Sequence, residues 1–277
     1  MERENLKNAN RIVIKVGTST LTYNTGKLNY RRFEDLARVI SDLQNRGKEI
    51  ILVSSGAIST GANKMNLAER PETVREKQAA AAVGQCEMMN VYARAFANYN
   101  HLVGQILLSP NIFENRTSKN NVINTFEALM EMGIIPIVNE NDSVSTDEIK
   151  FGDNDALSAI VAVLTNADLL IILSDIDGLY NDNPKENPDA VLIDKVYEIT
   201  EELERISGGS GSNRGTGGMQ TKIHAADMAI KSGINTIVMN GTEPEAIYKV
   251  LEGSDIGTLF VMNEVAARTT ARERSEQ

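Results

Sequence analysis

The stretch that most restricts the fold is Leu169-Leu170-Ile171-Ile172-Leu173, entered from Asp168 and left through Ser174-Asp175-Ile176-Asp177-Gly178. A strand with one wet face alternates apolar and polar residues. An unbroken apolar run reads instead as a strand covered on both faces, the habit of parallel strands held between helices. Residues 11–16, 50–53 and 134–138 repeat the pattern, and 102–108, 236–239 and 258–261 read as further strands. Helical periods lie between them. In residues 30–46, Phe33, Leu36, Ile40 and Leu43 share one face, and Gly47 stands at the C-terminal stop. Helices are also predicted after Ser54-Ser55-Gly56, at 73–97, within 115–132, and at 155–165, 199–206, 219–231 and 243–251. This alternation predicts an α/β fold with a mainly parallel sheet and helices on both faces. Its loops after strand C-termini are expected to gather on one edge.

With 277 residues the chain has room for one large α/β domain or two small ones, and at 42% apolar it can bury a substantial core. A net charge of -10 argues against nucleic acid or an anionic membrane as the main partner, while leaving room for a local basic pocket. Cys86 is the sole cysteine, which fits a reducing compartment, and its place in a helical run reads as a packed helix cysteine. The charged start MERENLKNANR is no signal peptide, and no apolar run approaches the roughly 20 residues of a spanning helix. A cytoplasmic, soluble protein is expected.

The segment 134–155, IIPIVNENDSVSTDEIKFGDND, joins one of these strands to a polar excursion. Asn139, Glu140, Asn141 and Asp142 follow the apolar run at once, and Gly152-Asp153-Asn154-Asp155 precede the helical ALSAIVAVL. Such a strand end puts amides and carboxylates at the carboxyl edge of a sheet, where open α/β sheets bind ligands. Capping of the next helix by Asp153 or Asp155 accounts for one acid but not for two clusters.

Three other loops point to an anion. Lys15 sits inside the otherwise apolar strand RIVIKV and costs several kcal/mol to bury without a partner. The alternative is a lysine that snorkels from an edge strand. The loop Gly17-Thr18-Ser19-Thr20 directly after it allows backbone N–H groups close to phosphate oxygens. Ser54-Ser55-Gly56 either cap the following helix or form an anion or carboxylate site at its start. In residues 208–218, a glycine-rich stretch precedes a helix with Lys222 in its first turn, where the helix dipole disfavours a cation unless an anion is bound. The alternative there is a flexible linker. Neither GxxxxGK[ST] nor GxGxxG is met. No HExxH, paired Cys/His set or GxSxG occurs, and His101 and His224 stand alone and read as core or surface residues. Two lysines, a glycine-rich loop and Asp153 and Asp155 suit a nucleotide polyphosphate and phosphoryl transfer. Such transfer needs positioning and charge neutralisation more than covalent chemistry.

IVIKVGTSTL, ILVSSGAISTG, PIVNENDSVS, FGDNDALSA, ILSDIDGLY and GTGGMQTKIHAA, in this order over about residues 9–262, resemble the amino acid kinase family, and within it the branch acting on free glutamate. The resemblance implies a three-layer αβα sandwich with a mainly parallel central sheet. It also implies transfer of the ATP γ-phosphoryl group to the side-chain carboxylate of L-glutamate, the first step of proline biosynthesis. Carried over by motif, Lys15, Lys222 and Asp155 are the catalytic residues, with Asp155 organising the lysines. Ser55, Asp142 and Asn154 would hold glutamate. Lys15, Ser174, Asp175, Thr216, Gly217, Gly218, Met219, Gln220, Thr221 and Lys222 would hold ATP. Ser174 stands where a threonine is common. Mg²⁺ would be bound mainly through the ATP phosphates, with no protein-built metal site.

The same resemblance gives a kinase domain over 1–263 and a polar tail at 264–277, without the PUA domain that many relatives carry. It also implies a homo-oligomer, dimer or tetramer, and feedback inhibition by proline competing at the glutamate site. Rival readings are an acetylglutamate, aspartate or uridylate kinase on the same fold, or a non-catalytic nucleotide- or oxyanion-binding protein.

Overall fold

The computed structural model describes residues 2–23, 25–109, 115–144, 154–184, 186–207 and 218–262. In chain order the strands are β1 (Arg11–Val16), β2 (Glu49–Val53), β3 (Val103–Leu108), β4 (Ile135–Glu140), β5 (Leu169–Ser174), β6 (Lys195–Val196), β7 (Asn235–Asn240) and β8 (Thr258–Phe260). The α-helices are α1 (Thr18–Leu21), α2 (Tyr30–Asn45), α3 (Ala57–Lys64), α4 (Val74–Ala97), α5 (Arg116–Glu131), α6 (Asn154–Leu164), α7 (Glu201–Ser207), α8 (Met219–Lys231) and α9 (Ala246–Leu251). The chain divides into two compact units, Val16–Asn154 and Met1–Lys15 with Asp155–Gln277.

In the unit Val16–Asn154 the strands run in the order β3-β4-β2, all parallel, with Leu52 opposite Ile137 and Leu108 opposite Glu140. Every residue of β4 is buried, as cover on both faces requires, whereas β3 alternates and is half exposed. β4 runs two residues beyond the apolar run, so Asn139 and Glu140 belong to the strand itself. On α2 the predicted stripe Phe33, Leu36, Ile40 and Leu43 is buried, and the Asn29 side chain caps its start by accepting from the Arg32 N–H. Phe33 meets Tyr92 of α4 with ring centroids 4.7 Å apart. α4 opens with a reciprocal cap between Thr73 and Glu76.

α3 and α4 cross with no room for a methyl group. A Cβ on Gly61 would lie 1.7 Å from the Ala80 carbonyl oxygen, and one on Gly84 would lie 1.8 Å from that of Ala57. Two readings change here. The loop after β1 contains a short helix, Thr18–Leu21. Cys86 is exposed rather than packed, because the inward stripe of α4 runs through Gln85, Met88 and Tyr92 and leaves position 86 outside.

In the other unit the order is β1-β5-β7-β8-β6. β5 is buried at every position and pairs parallel with β7, from Leu169 opposite Asn235 to Ser174 opposite Asn240. β8 runs antiparallel to β7 and parallel to β6. The two-residue β6 left no sequence signal. Nor did the 3-10 turn region Arg3–Asn8, from which Arg3 is buried and donates to the Asp194 carboxylate at 2.6 and 2.9 Å and to the Ile256 and Gly257 carbonyls.

Candidate active site

Two buried lysines converge on one carboxylate in the second unit. β1 carries Lys15, 6% exposed, whose Nζ lies 2.6 Å from Asp155 Oδ1. The first turn of α8 carries Lys222, 5% exposed, with Nζ 3.1 Å from Asp155 Oδ2. Thr221 Oγ1 lies 2.8 Å from the same Oδ2 and 2.8 Å from the Gly218 carbonyl. Asp155, in the first turn of α6, is fully buried. Burial drives its carboxyl upward, but the charges of Lys15 and Lys222 outweigh that, and hydrogen bonds from Lys15 and Thr221 add to them. The group is held well below the usual carboxylate range. It therefore stays ionised between its two cations. The anion that the sequence demanded for Lys15 and for Lys222 is thus present within the chain. In the same unit Ser174, buried at the end of β5, donates to the exposed Asp175 at 3.2 Å. Gly218, Met219 and Gln220 form the start of α8, with no side-chain cap on its N–H groups.

The unit Val16–Asn154 holds a different cluster, made of amides and hydroxyls. β2 ends at Val53, and Ser54 continues its ladder by donating to the Val138 carbonyl at 2.8 Å. Gly56 then turns the chain into α3 with φ +98, a left-handed value that favours glycine, and a Cβ there would press on Thr18 at 3.3 Å. Ser54 and Ser55 are buried. Ser54 Oγ is hydrogen-bonded to the hydroxyl of Tyr92, 2.8 Å away on α4. Burial pushes that phenol far up despite the Ser54 contact.

Asn154 Nδ2 lies 2.7 Å from the Ser54 carbonyl, 2.9 Å from Asn139 Oδ1 and 3.1 Å from Ser55 Oγ. Asn139 Oδ1 also accepts from the Glu140 N–H at 2.9 Å, while Asn139 Nδ2 donates to Gln85 Oε1 on α4 at 2.8 Å. Asp142 and Glu140 are buried as well. Burial, with the charge of Glu140 second, raises the Asp142 carboxyl to about 6.

The expected catalytic trio Lys15, Asp155 and Lys222 is thus one cluster, and of the expected glutamate residues Ser55 and Asn154 are hydrogen-bonded to each other. Thr221, expected at ATP, sits on Asp155. Asp153, Thr216, Gly217, most of the glycine-rich stretch 208–218 and the tail 264–277 lie outside the described residues. Sequence reading placed Asn139 in the polar cluster at the end of β4 but missed Gln85 and Tyr92 as part of the site. The available signal was position: Gln85 stands four residues after Ala81 and seven before Tyr92, on the inward stripe of α4. Among the described residues no group of three His, Cys, Asp or Glu side chains could hold a metal ion, and no helix is long and apolar enough to cross a membrane.

The model of the amino acid kinase family matches residues 10–240. The chain belongs to the amino acid kinase family. Its similarity extends to glutamate 5-kinases: that of Clostridium perfringens is 58% identical over 263 residues, covering 94% of this chain and 98% of the relative. That of Enterococcus faecalis is 52% identical, covering 94% and 97%. Among solved structures, the UMP kinase of Bacillus anthracis superposes with a TM-score of 0.61 at 17% identity, covering 91% of this chain and 96% of that one. Isopentenyl phosphate kinase of T. acidophilum gives 0.56 at 17%, covering 90% and 99%. At that identity the likeness is one of fold, and it is the α/β sandwich expected from the alternating strands and helices.

Proposed function

We propose that the chain is a glutamate 5-kinase, transferring the γ-phosphoryl group of ATP to the side-chain carboxylate of L-glutamate at the start of proline biosynthesis. Identity of 58% to a named glutamate 5-kinase over nearly its whole length supports the substrate pair. The observation that carries the chemistry is the convergence of buried Lys15 and Lys222 on Asp155. In this reading an oxygen of the substrate's side-chain carboxylate attacks the γ-phosphorus, the bond to the β,γ-bridging oxygen breaks, and ADP leaves with that electron pair. The acceptor is already an anion at neutral pH, so no proton has to be removed. An Asp155 held ionised and occupied by lysines fits a reaction without a general base. Lys15 and Lys222 neutralise charge on the transferring group, and Asp155 fixes where they stand.

ATP is assigned to Lys15, Lys222, Ser174, Asp175 and the segment Thr216 to Lys222. Asp155 is engaged by the lysines, and no trio of His, Cys, Asp or Glu is placed to hold a metal ion among the described residues. Mg²⁺ is assigned to the nucleotide's phosphates, and no step here depends on it. Glutamate is assigned to Ser55, Asp142 and Asn154. Proline shares the α-carboxylate and a charged amine, and on this reading it competes there. A homo-oligomer in a reducing cytoplasm remains the expected setting.

The test is ATP consumption with L-glutamate beside aspartate, N-acetylglutamate and UMP, with hydroxylamine present to trap an acyl phosphate. Glutamate-dependent turnover with hydroxamate formation supports the assignment. Turnover only with another acceptor overturns the substrate, and none in a folded protein that binds ATP overturns the kinase.

A further inference from the structure

The polarity of the amide chain on the Val16–Asn154 unit is set by main-chain groups that have no choice. The Ser54 carbonyl can only accept, so the atom of Asn154 that faces it at 2.7 Å is Nδ2. The Glu140 N–H can only donate, so the atom of Asn139 that faces it at 2.9 Å is Oδ1. Asn139 Oδ1 then takes the second hydrogen of Asn154 at 2.9 Å, and Asn139 Nδ2 is left to Gln85 Oε1 at 2.8 Å. Both hydrogens of Asn154 are committed. Its Oδ1 is buried and accepts no hydrogen bond among the described residues. The same is true of Glu140 Oε1. Asp142 is a third buried acceptor, close enough to Glu140 to feel its charge. Buried acceptors without donors are costly, and a group with several N–H bonds and a positive charge would satisfy them. A primary ammonium has both.

We infer that Gln85 is a positioning residue for the amino-acid substrate, holding Asn139 and through it Asn154 so that Asn154 Oδ1 meets the substrate's ammonium as an acceptor. This rests on the reading of the chain as a glutamate kinase, and it makes Asn154 a reader of the amine rather than a donor to a carboxylate. Gln85 touches no substrate. Its oxygen accepts from Asn139 Nδ2, while Asn139 Oδ1 is held by the Glu140 N–H and meets Asn154. Without it Asn139 loses that anchor, and the acceptor on Asn154 is no longer held in place.

The readout is discrimination between L-glutamate and glutarate, the same diacid without the amine, taken as the ratio of kcat/KM. A site built on hydrogen bonds to a substrate group rejects the analogue lacking it by about 10⁴-fold, and the wild type is expected to favour glutamate by at least about 10³-fold. Gln85→Met is expected to cut that ratio about tenfold or more, with the KM for ATP and the melting temperature little changed. Gln85→Glu, which keeps an acceptor facing Asn139 Nδ2, should recover most of the loss. A purely structural role would slow both acids alike and leave the ratio untouched, which overturns the proposal. Equal loss in Gln85→Met and Gln85→Glu also overturns it, since the acceptor would then be irrelevant. So does a wild type that turns over both acids equally well. If the wild type turns over neither acid, the kinase reading itself has failed, and a titration of glutamate binding by calorimetry in wild type and Gln85→Met then decides whether Gln85 serves amino-acid binding.

Discussion

The two clusters solve opposite problems. Around Asp155 the charges answer one another inside the chain: two lysines and a threonine hydroxyl meet one carboxylate, and the geometry exists before any ligand arrives. Around Asn154 the donors are spent and the acceptors are not, with Asn154 Oδ1 and Glu140 Oε1 buried and without partners among the described residues. The first cluster is preorganised by its own ion pairs, as catalysis by fixed charge requires. The second, on the inference drawn above, takes a cationic donor from its substrate, as selective binding requires. On the proposed reading, catalytic power and substrate choice rest on different chemistry on different stretches of the chain.

Asp155→Ala tests the first cluster most severely. It leaves two lysines buried beside a lost partner and is expected to cost about 3–5 kcal/mol of stability, seen by thermal denaturation, along with nearly all turnover. Lys222→Ala should be gentler on the fold while lowering kcat about 10²–10³-fold, with the KM for glutamate within a few fold of wild type. A large rise in that KM would mean that the two clusters do not divide the labour as described.

Asp142→Asn belongs to the second cluster, and its loss should appear in KM for glutamate, by roughly thirtyfold, the equivalent of about 2 kcal/mol for a truncated charge pair. The pH profile sharpens this. With its carboxyl raised to about 6 by burial and by Glu140, Asp142 is protonated below that value in the free protein, so kcat/KM for glutamate should fall as pH drops through about 6. Asp142→Asn should remove that limb. For stability the sign is reversed: the folded state holds the extra proton between the ordinary carboxylate value near 3.8 and about 6, so stability declines as pH rises across that window. Saturating glutamate should offset the decline. Smallest of all, Ser54→Ala leaves the fully buried Tyr92 hydroxyl without its partner, and Tm should fall by the equivalent of about 1 kcal/mol with kcat nearly unchanged.

The strands were legible because burial on both faces writes an unbroken apolar run, as in Leu169–Ser174, while a two-residue strand such as Lys195–Val196 writes nothing. Lys15 was legible for a related reason, since a charge inside an apolar strand needs a partner. Lys222 stood out as a cation in a helix's first turn, and Asp155 as one of a cluster of acids and amides ahead of a helix. Gln85 and Tyr92 were not legible, since a glutamine or tyrosine in a helix is ordinary. Their partners lie far off in sequence, 54 residues between Gln85 and Asn139 and 38 between Tyr92 and Ser54. An amide network becomes visible only when the fold shows which hydrogen is spent and which oxygen is left over.

The crossing of α3 and α4 has an evolutionary consequence. Each helix's carbonyl oxygen occupies the space where the other's first side-chain carbon would go, at Gly61 and at Gly84 alike. No single codon change at either position is compatible with the present spacing, and a change at one cannot be rescued by a smaller neighbour, because what stands in the way is backbone. The surface of α4 around Cys86 can drift while this joint cannot. The helix that follows the Ser54–Ser55 turn and the helix bearing Gln85 and Tyr92 are therefore tied at a separation that admits no added carbon at the joint.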